Sequence, residues 1–121
     1  METGLIVKFG KLVPGREQRA IELFAEAKEY FEEQSRKGVI TYYEPYFYGS
    51  GDLEAQAGFS IIKGDRDHLW KMVEDERFRW LTAKAQFVVD HLEVDWLTVG
   101  AGIDEQVERG TKLAAEFALI R

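Results

Sequence analysis

The chain has 121 residues, a formal net charge of -6 and a pI near 5.0, with 45% hydrophobic and 31% charged residues. That describes one folded domain able to bury its own core and excludes a disordered chain. The acidic balance argues against nucleic acid and against an anionic membrane surface as partners.

There is no cysteine and there are two histidines. Disulfides, thiolate metal sites and a cysteine nucleophile are removed together, and a transition-metal site would have to lean on carboxylates. The opening METGLIVKFGKLV lacks the basic and apolar regions of a signal peptide. No run approaches the roughly 20 apolar residues of a spanning helix. The expected location is cytoplasmic.

In chain order, Gly4 to Leu12 reads as the first strand, with Leu5, Val7 and Phe9 alternating against Ile6, Lys8 and Gly10. Gly10 marks a bulge or a close backbone approach. Val13-Pro14-Gly15 turns the chain into a helix over about 16–36, whose apolar stripe is Ala20, Leu23, Phe24, Ala27, Tyr30 and Phe31. Its other face is rich in glutamate, which reads as solvated surface, and Gly38 ends it.

Val39 to Tyr48 is the second strand. Pro45 cannot donate a ladder hydrogen bond, which puts this strand at a sheet edge or at a bulge. Val39, Thr41, Tyr43 and Phe47 form one face, and Ile40, Tyr42, Tyr46 and Tyr48 the other. Both are aromatic, so something must cover each. A turn at Gly49-Ser50-Gly51-Asp52 leads into a third strand expected from about Leu53 to Lys63. Gly64-Asp65 ends it, and Asp65 or Asp67 can cap the helical region that follows, from near Arg66 towards His91. The apolar clusters of that region are out of phase across Glu74-Asp75-Glu76, which predicts a break. Leu92 to Gly100 is the fourth strand, and Ile103 to Ile120 a last helix weakened at Gly110 by about 1 kcal/mol relative to alanine.

The order β-α-β-β-α-β is the split-βαβ arrangement, with strands one and three central and both helices on one face of an antiparallel sheet. Residues 1–102 form this α+β, ferredoxin-like domain, and 103–121 are a helical extension. The other sheet face would stay bare in one chain, and a second copy packed face to face, an isologous dimer closing a barrel, is the simplest cover.

The first strand running into Val13-Pro14-Gly15-Arg16-Glu17, the Gly58-Phe59-Ser60-Ile61 strand, and the stretch from Gly64-Asp65 through Leu69 to Glu76-Arg77-Phe78 resemble the dimeric α/β-barrel superfamily. Within it the chain is similar to the branch of antibiotic-biosynthesis monooxygenases, stress-responsive barrel proteins and EthD- or NIPSNAP-like proteins. The resemblance covers about 4–100. It implies the fold, a homodimer, and an aromatic-lined pocket of the kind that cofactor-free oxygenases use. It supplies no catalytic motif. No cofactor is expected, and the dinucleotide, phosphate-loop, zinc-protease and serine-hydrolase signatures are absent.

Two histidines are candidate catalytic residues. His68, in the first turn of the second helical region, reads as a surface or capping residue, or as a ligand or proton-transfer group. His91, at the junction with the fourth strand, reads as a helix-end residue favoured by the dipole, or as a general acid/base at a pocket mouth with Glu44 or Asp95 as partner. Tyr42, Tyr43, Tyr46, Tyr48, Trp70, Trp80 and Trp96 are candidates for a pocket lining or for dimer core. Three functions follow: a small-molecule binding protein taking a hydrophobic or aromatic ligand between helices and sheet, a cofactor-independent monooxygenase of aromatic or polyketide-like compounds, and an interaction domain using the last helix. A cavity free of titratable residues favours the first. A histidine facing a cavity favours the second. A filled core with an exposed Val107, Leu113 and Phe117 stripe favours the third.

Overall fold

The structure is a computed structural model and describes residues 1–51 and 56–119. Its elements are β1 (Glu2–Phe9), α1 (Glu17–Arg36), β2 (Tyr42–Phe47), β3 (Gly58–Asp65), α2 (Arg66–Glu74), α3 (Glu76–Ala85), β4 (Glu93–Leu97) and α4 (Ala101–Leu119). The strands form one antiparallel sheet in the order β2-β3-β1-β4, the ferredoxin-like order, with α1, α2 and α3 on one face.

Pro45 sits where a proline is harmless. Tyr48 N–H donates to Ala57 O at 3.0 Å, which makes that a hydrogen-bonded pair. Alternation along the register then makes Pro45 and Ser60 a non-hydrogen-bonded pair, with the proline nitrogen turned outward from an edge strand.

The strand ends differ from the sequence expectation. β1 stops at Phe9. Beyond it, Gly10 N–H donates to Asp90 O at 2.7 Å, Asp90 N–H to Lys11 O at 2.9 Å and Val13 N–H to Val88 O at 2.9 Å. This segment thus crosses onto the loop after α3, the close backbone approach expected at Gly10. β3 begins at Gly58: Ala57 O still accepts from Tyr48 of β2, but Ala57 N–H donates to Phe9 O at 2.8 Å and Gln56 lies outside the strand. The connection is therefore longer than a four-residue turn. Gly51 takes φ +100 within it, and the strand positions expected at Leu53, Glu54 and Ala55, with the turn residue Asp52, lie outside the described residues, as does Ile120.

The expected break falls at Asp75, whose ψ of 141° is extended and divides α2 from α3. Asp65 caps α2, accepting from the N–H groups of Asp67 at 3.1 Å and His68 at 3.4 Å. The core joins Leu5, Ile40 and Ile62 on the sheet side to Tyr30, Phe31, Leu69, Met72, Phe78 and Leu81 on the helices. Most glutamates of α1 are exposed, yet Glu26 pairs with Lys84 at 2.9 Å and the half-buried Glu33 with Arg77 at 2.8 Å, tying α1 to α3. No described helix is long and apolar enough to cross a membrane.

Candidate ligand cavity

Alternation along β3 leaves open which face is buried. The structure turns Gly58, Ser60, Ile62 and Gly64 towards the helices and Phe59, Ile61 and Lys63 away. Small residues face the helices because backbone passes close by. A Cβ on Gly64 would lie 2.8 Å from Val39 O, and one on Gly58 2.6 Å from Tyr46 O and 2.7 Å from the Phe9 ring. At Ser60 no large side chain fills the space above the sheet, and a cavity of about 240 Å³ lies there.

The cavity floor is Val7 and Phe9 of β1, Tyr43 and Phe47 of β2, and Ser60 of β3. Its roof is the α1 stripe from Ala20 to Phe31 and the α3 residues Phe78, Leu81, Thr82 and Ala85. The Leu12–Val89 bridge and Leu92 close one end. Ile21 and Phe47, 59% and 64% exposed, mark the mouth. The polar side chains are Ser60, Tyr43 and Thr82. The Thr82 hydroxyl donates to Arg79 O at 3.0 Å, so it is engaged within its own helix. Burial raises the Tyr43 phenol above its ordinary value of 10.0, with the neighbouring Ser60 hydroxyl acting the other way and the Glu32 charge adding to the rise.

Of the aromatic candidates, Tyr43 is the one that lines this cavity. Tyr42 and Tyr46 lie on the opposite, open face of the sheet. Both hydroxyls donate to Glu44, Tyr46 at 2.7 Å, and lie 2.8 Å from each other. Lys63 Nζ sits 4.8 Å from the centre of the Tyr42 ring. The Tyr42 phenol is raised by its bond to Glu44 and then by Tyr46, while the Glu44 carboxyl is lowered by Tyr42 and then Tyr46. Tyr46 stacks on Phe59 at 4.9 Å, and Tyr48 lies against Phe59 at 5.6 Å. Trp70 of α2 and Trp96 of β4 stack at 5.4 Å beside α4, and Trp80 is 64% exposed on α3.

Neither histidine lines the cavity. His91 is exposed, with φ +55, a left-handed backbone that histidine tolerates better than most residues. The carboxylates expected to partner it do not face the cavity. Glu44 and Asp95 lie in register with Ile61 and Ile6 on the open face, on the far side of the sheet. His68 borders a separate polar cleft with Gln34, Lys37, Lys71 and Asp75. Among the described residues no group of three or more His, Cys, Asp or Glu is placed to hold a metal. The residues that sequence reasoning missed are Ser60 and the phenylalanines. Ser60 read as one polar position in an alternating strand, and its one available signal was its place between Gly58 and Ile62 on the small-residue face.

No family model matches the chain, and no curated protein matches it. Solved structures do. SnoaB, a cofactor-independent oxygenase from Streptomyces nogalater, is 16% identical with a TM-score of 0.60, the match covering 82% of this chain and 93% of that one. A conserved protein from Methanosarcina mazei is 15% identical at TM-score 0.59, covering 79% and 91%. A dimeric protein of unknown function with a ferredoxin-like fold from Bacteroides fragilis is 16% identical at TM-score 0.56, covering 78% and 93%. At these identities the likeness establishes the fold. The molecule is an α+β protein with the ferredoxin-like fold, the fold that the resemblance in its sequence implied.

Proposed function

We propose that the protein is a homodimeric α/β-barrel protein that binds a small hydrophobic molecule between its helices and sheet. The apolar cavity above Ser60 is the observation that carries this reading: a preformed, mostly apolar concave space with a polar side chain or two in its wall is what a small-molecule site requires. The dimer is supported by the open sheet face. Ile6, Phe59, Ile61, Leu97, Tyr42 and Tyr46 lie there, and its charged groups have contacts within the chain: Lys8 with Glu93 at 3.1 Å and Asp95 at 4.0 Å, Lys63 over the Tyr42 ring, and Glu44 accepting from two phenols. Those contacts lower the desolvation cost of covering the face.

A second reading, a cofactor-independent oxygenase acting on an aromatic substrate, draws on the fold shared with SnoaB. It needs a group that takes a proton from the substrate. Among the described residues lining the cavity the one titratable side chain is Tyr43, held above its ordinary range. Binding is therefore favoured over catalysis. A third reading, an interaction domain, is supported by α4, where Ile103, Val107, Leu113 and Phe117 are exposed. It is compatible with the first, since none of these residues lines the cavity.

A thermal-shift series with apolar one- and two-ring compounds tests the binding reading. A ligand at 100 times its Kd stabilises by about 2.7 kcal/mol and raises the melting temperature measurably. Ala27→Phe, which puts a ring into the cavity, is expected to abolish the shift while circular dichroism shows an intact fold. No shift with any compound, or an undiminished shift in the variant, contradicts it.

A further inference from the structure

The cavity's size, polarity and mouth restrict what it can hold, and the restriction rests on the binding reading above. We infer that the ligand is an uncharged one- or two-ring compound whose single hydroxyl or carbonyl oxygen is held by Ser60 and Tyr43.

Three observations combine. First, an apolar cavity of about 150 Å³ accommodates one benzene, so about 240 Å³ admits a second fused ring and no more. A third ring would extend past the mouth at Ile21 and Phe47, where the side chains are already more than half exposed and give little new shelter. Second, the lining has no cationic side chain and no carboxylate among the described residues. A charged ligand would lose its hydration without gaining a partner. Third, polarity is concentrated at one place on the floor. Ser60 is 7% exposed, the Tyr43 phenol is its neighbour, and the remaining hydroxyl, on Thr82, is spent on Arg79 O. A hydroxyl pair can donate and accept, so it suits either an alcohol or a carbonyl oxygen. A purely hydrocarbon ligand would leave that pair facing apolar atoms.

Calorimetric titration of the intact protein with naphthalene, 2-naphthol, 2-naphthoate and 2-hydroxyanthracene at pH 7 tests this. 2-Naphthol is expected to bind roughly fivefold tighter than naphthalene, from one neutral hydrogen bond. In Ser60→Ala that advantage is expected to disappear while naphthalene affinity is kept, which also shows the variant is folded. 2-Naphthoate is expected to bind about 100-fold more weakly than 2-naphthol, and the third ring to add no more than about threefold. The inference is overturned if 2-naphthoate binds within tenfold of 2-naphthol, if Ser60→Ala weakens both neutral two-ring probes equally, or if the third ring adds tenfold. Binding by none of the four overturns the underlying reading instead, and the inference with it.

Discussion

Tyr30 is 2% exposed, and its hydroxyl has no hydrogen-bond partner among the described residues. Burial and the nearby Asp75 charge push its phenol up to about 12; Asp75 is near enough to do this without meeting the geometry of a hydrogen bond. An orphaned buried hydroxyl is a cost, and Tyr30→Phe removes it while keeping the ring against Phe31 and under Arg77. We expect the variant to be more stable by about 1 kcal/mol in urea denaturation at pH 7. The sign of the pH effect follows from the raised pKa. The folded state holds the phenolic proton more tightly, so that contribution is present below pH 10 and is lost as pH rises towards 12. Tyr30→Phe should lack this alkaline loss. On the open face, Glu44 works in the opposite sense. Its lowered carboxyl contributes above the ordinary value of 4.5 and stops contributing as pH falls through its folded pKa. Glu44→Gln should return the raised Tyr42 phenol towards 10.0 in a spectrophotometric titration. An unchanged titration would mean that the Tyr42 phenol does not depend on that carboxylate.

At the scale of elements, the positions of glycine decide how close strands and helices come. Gly58 begins β3 with Tyr46 O and the Phe9 ring where a Cβ would stand. Neither can yield freely, since the first is edge-strand backbone and the second is cavity floor. Gly58→Ala should destabilise by about 1–3 kcal/mol and weaken ligand binding by displacing Phe9. Equal stability to the parent protein would show that β2 can shift outward instead. The helices and their break were legible in the sequence because each rests on local signals: the α1 stripe, the Asp65 cap and the phase change at Asp75. The start of β3 was not. There Ala57 N–H turns to Phe9 O while its carbonyl still accepts from Tyr48, a contact between segments far apart in sequence that no periodicity encodes. The inward face of β3 was hidden for a related reason. Its larger residues, Phe59 and Ile61, point away from the helices, which inverts the usual expectation that bulk marks the core.

For the whole molecule, aromatic residues on both faces of β2 announced that one chain leaves a sheet surface uncovered. The register puts Tyr43 and Phe47 under the helices and Tyr42 and Tyr46 on the open side. Face-to-face pairing predicts a sedimenting species near 28 kDa, twice the 14.0 kDa chain, at micromolar concentration. It also predicts dissociation in Ile61→Glu, which places an unmatched charge mid-face. A parent protein that sediments as a single chain would remove the dimer from the account. The cavity was less legible than the uncovered sheet face. Its lining is spread over three strands, two helices and the segments after β1 and α3, mostly as ordinary apolar residues, while the conspicuous tryptophans and histidines lie elsewhere. The central claim, that a small molecule is held between helices and sheet, is tested most directly by where a bound probe touches the protein. With 2-naphthol bound, methyl-labelled protein should show intermolecular nuclear Overhauser effects to Val7, Leu23, Ala27 and Leu81. Effects confined to Ile6 and Ile61 on the open face, or to the α4 stripe, would contradict it.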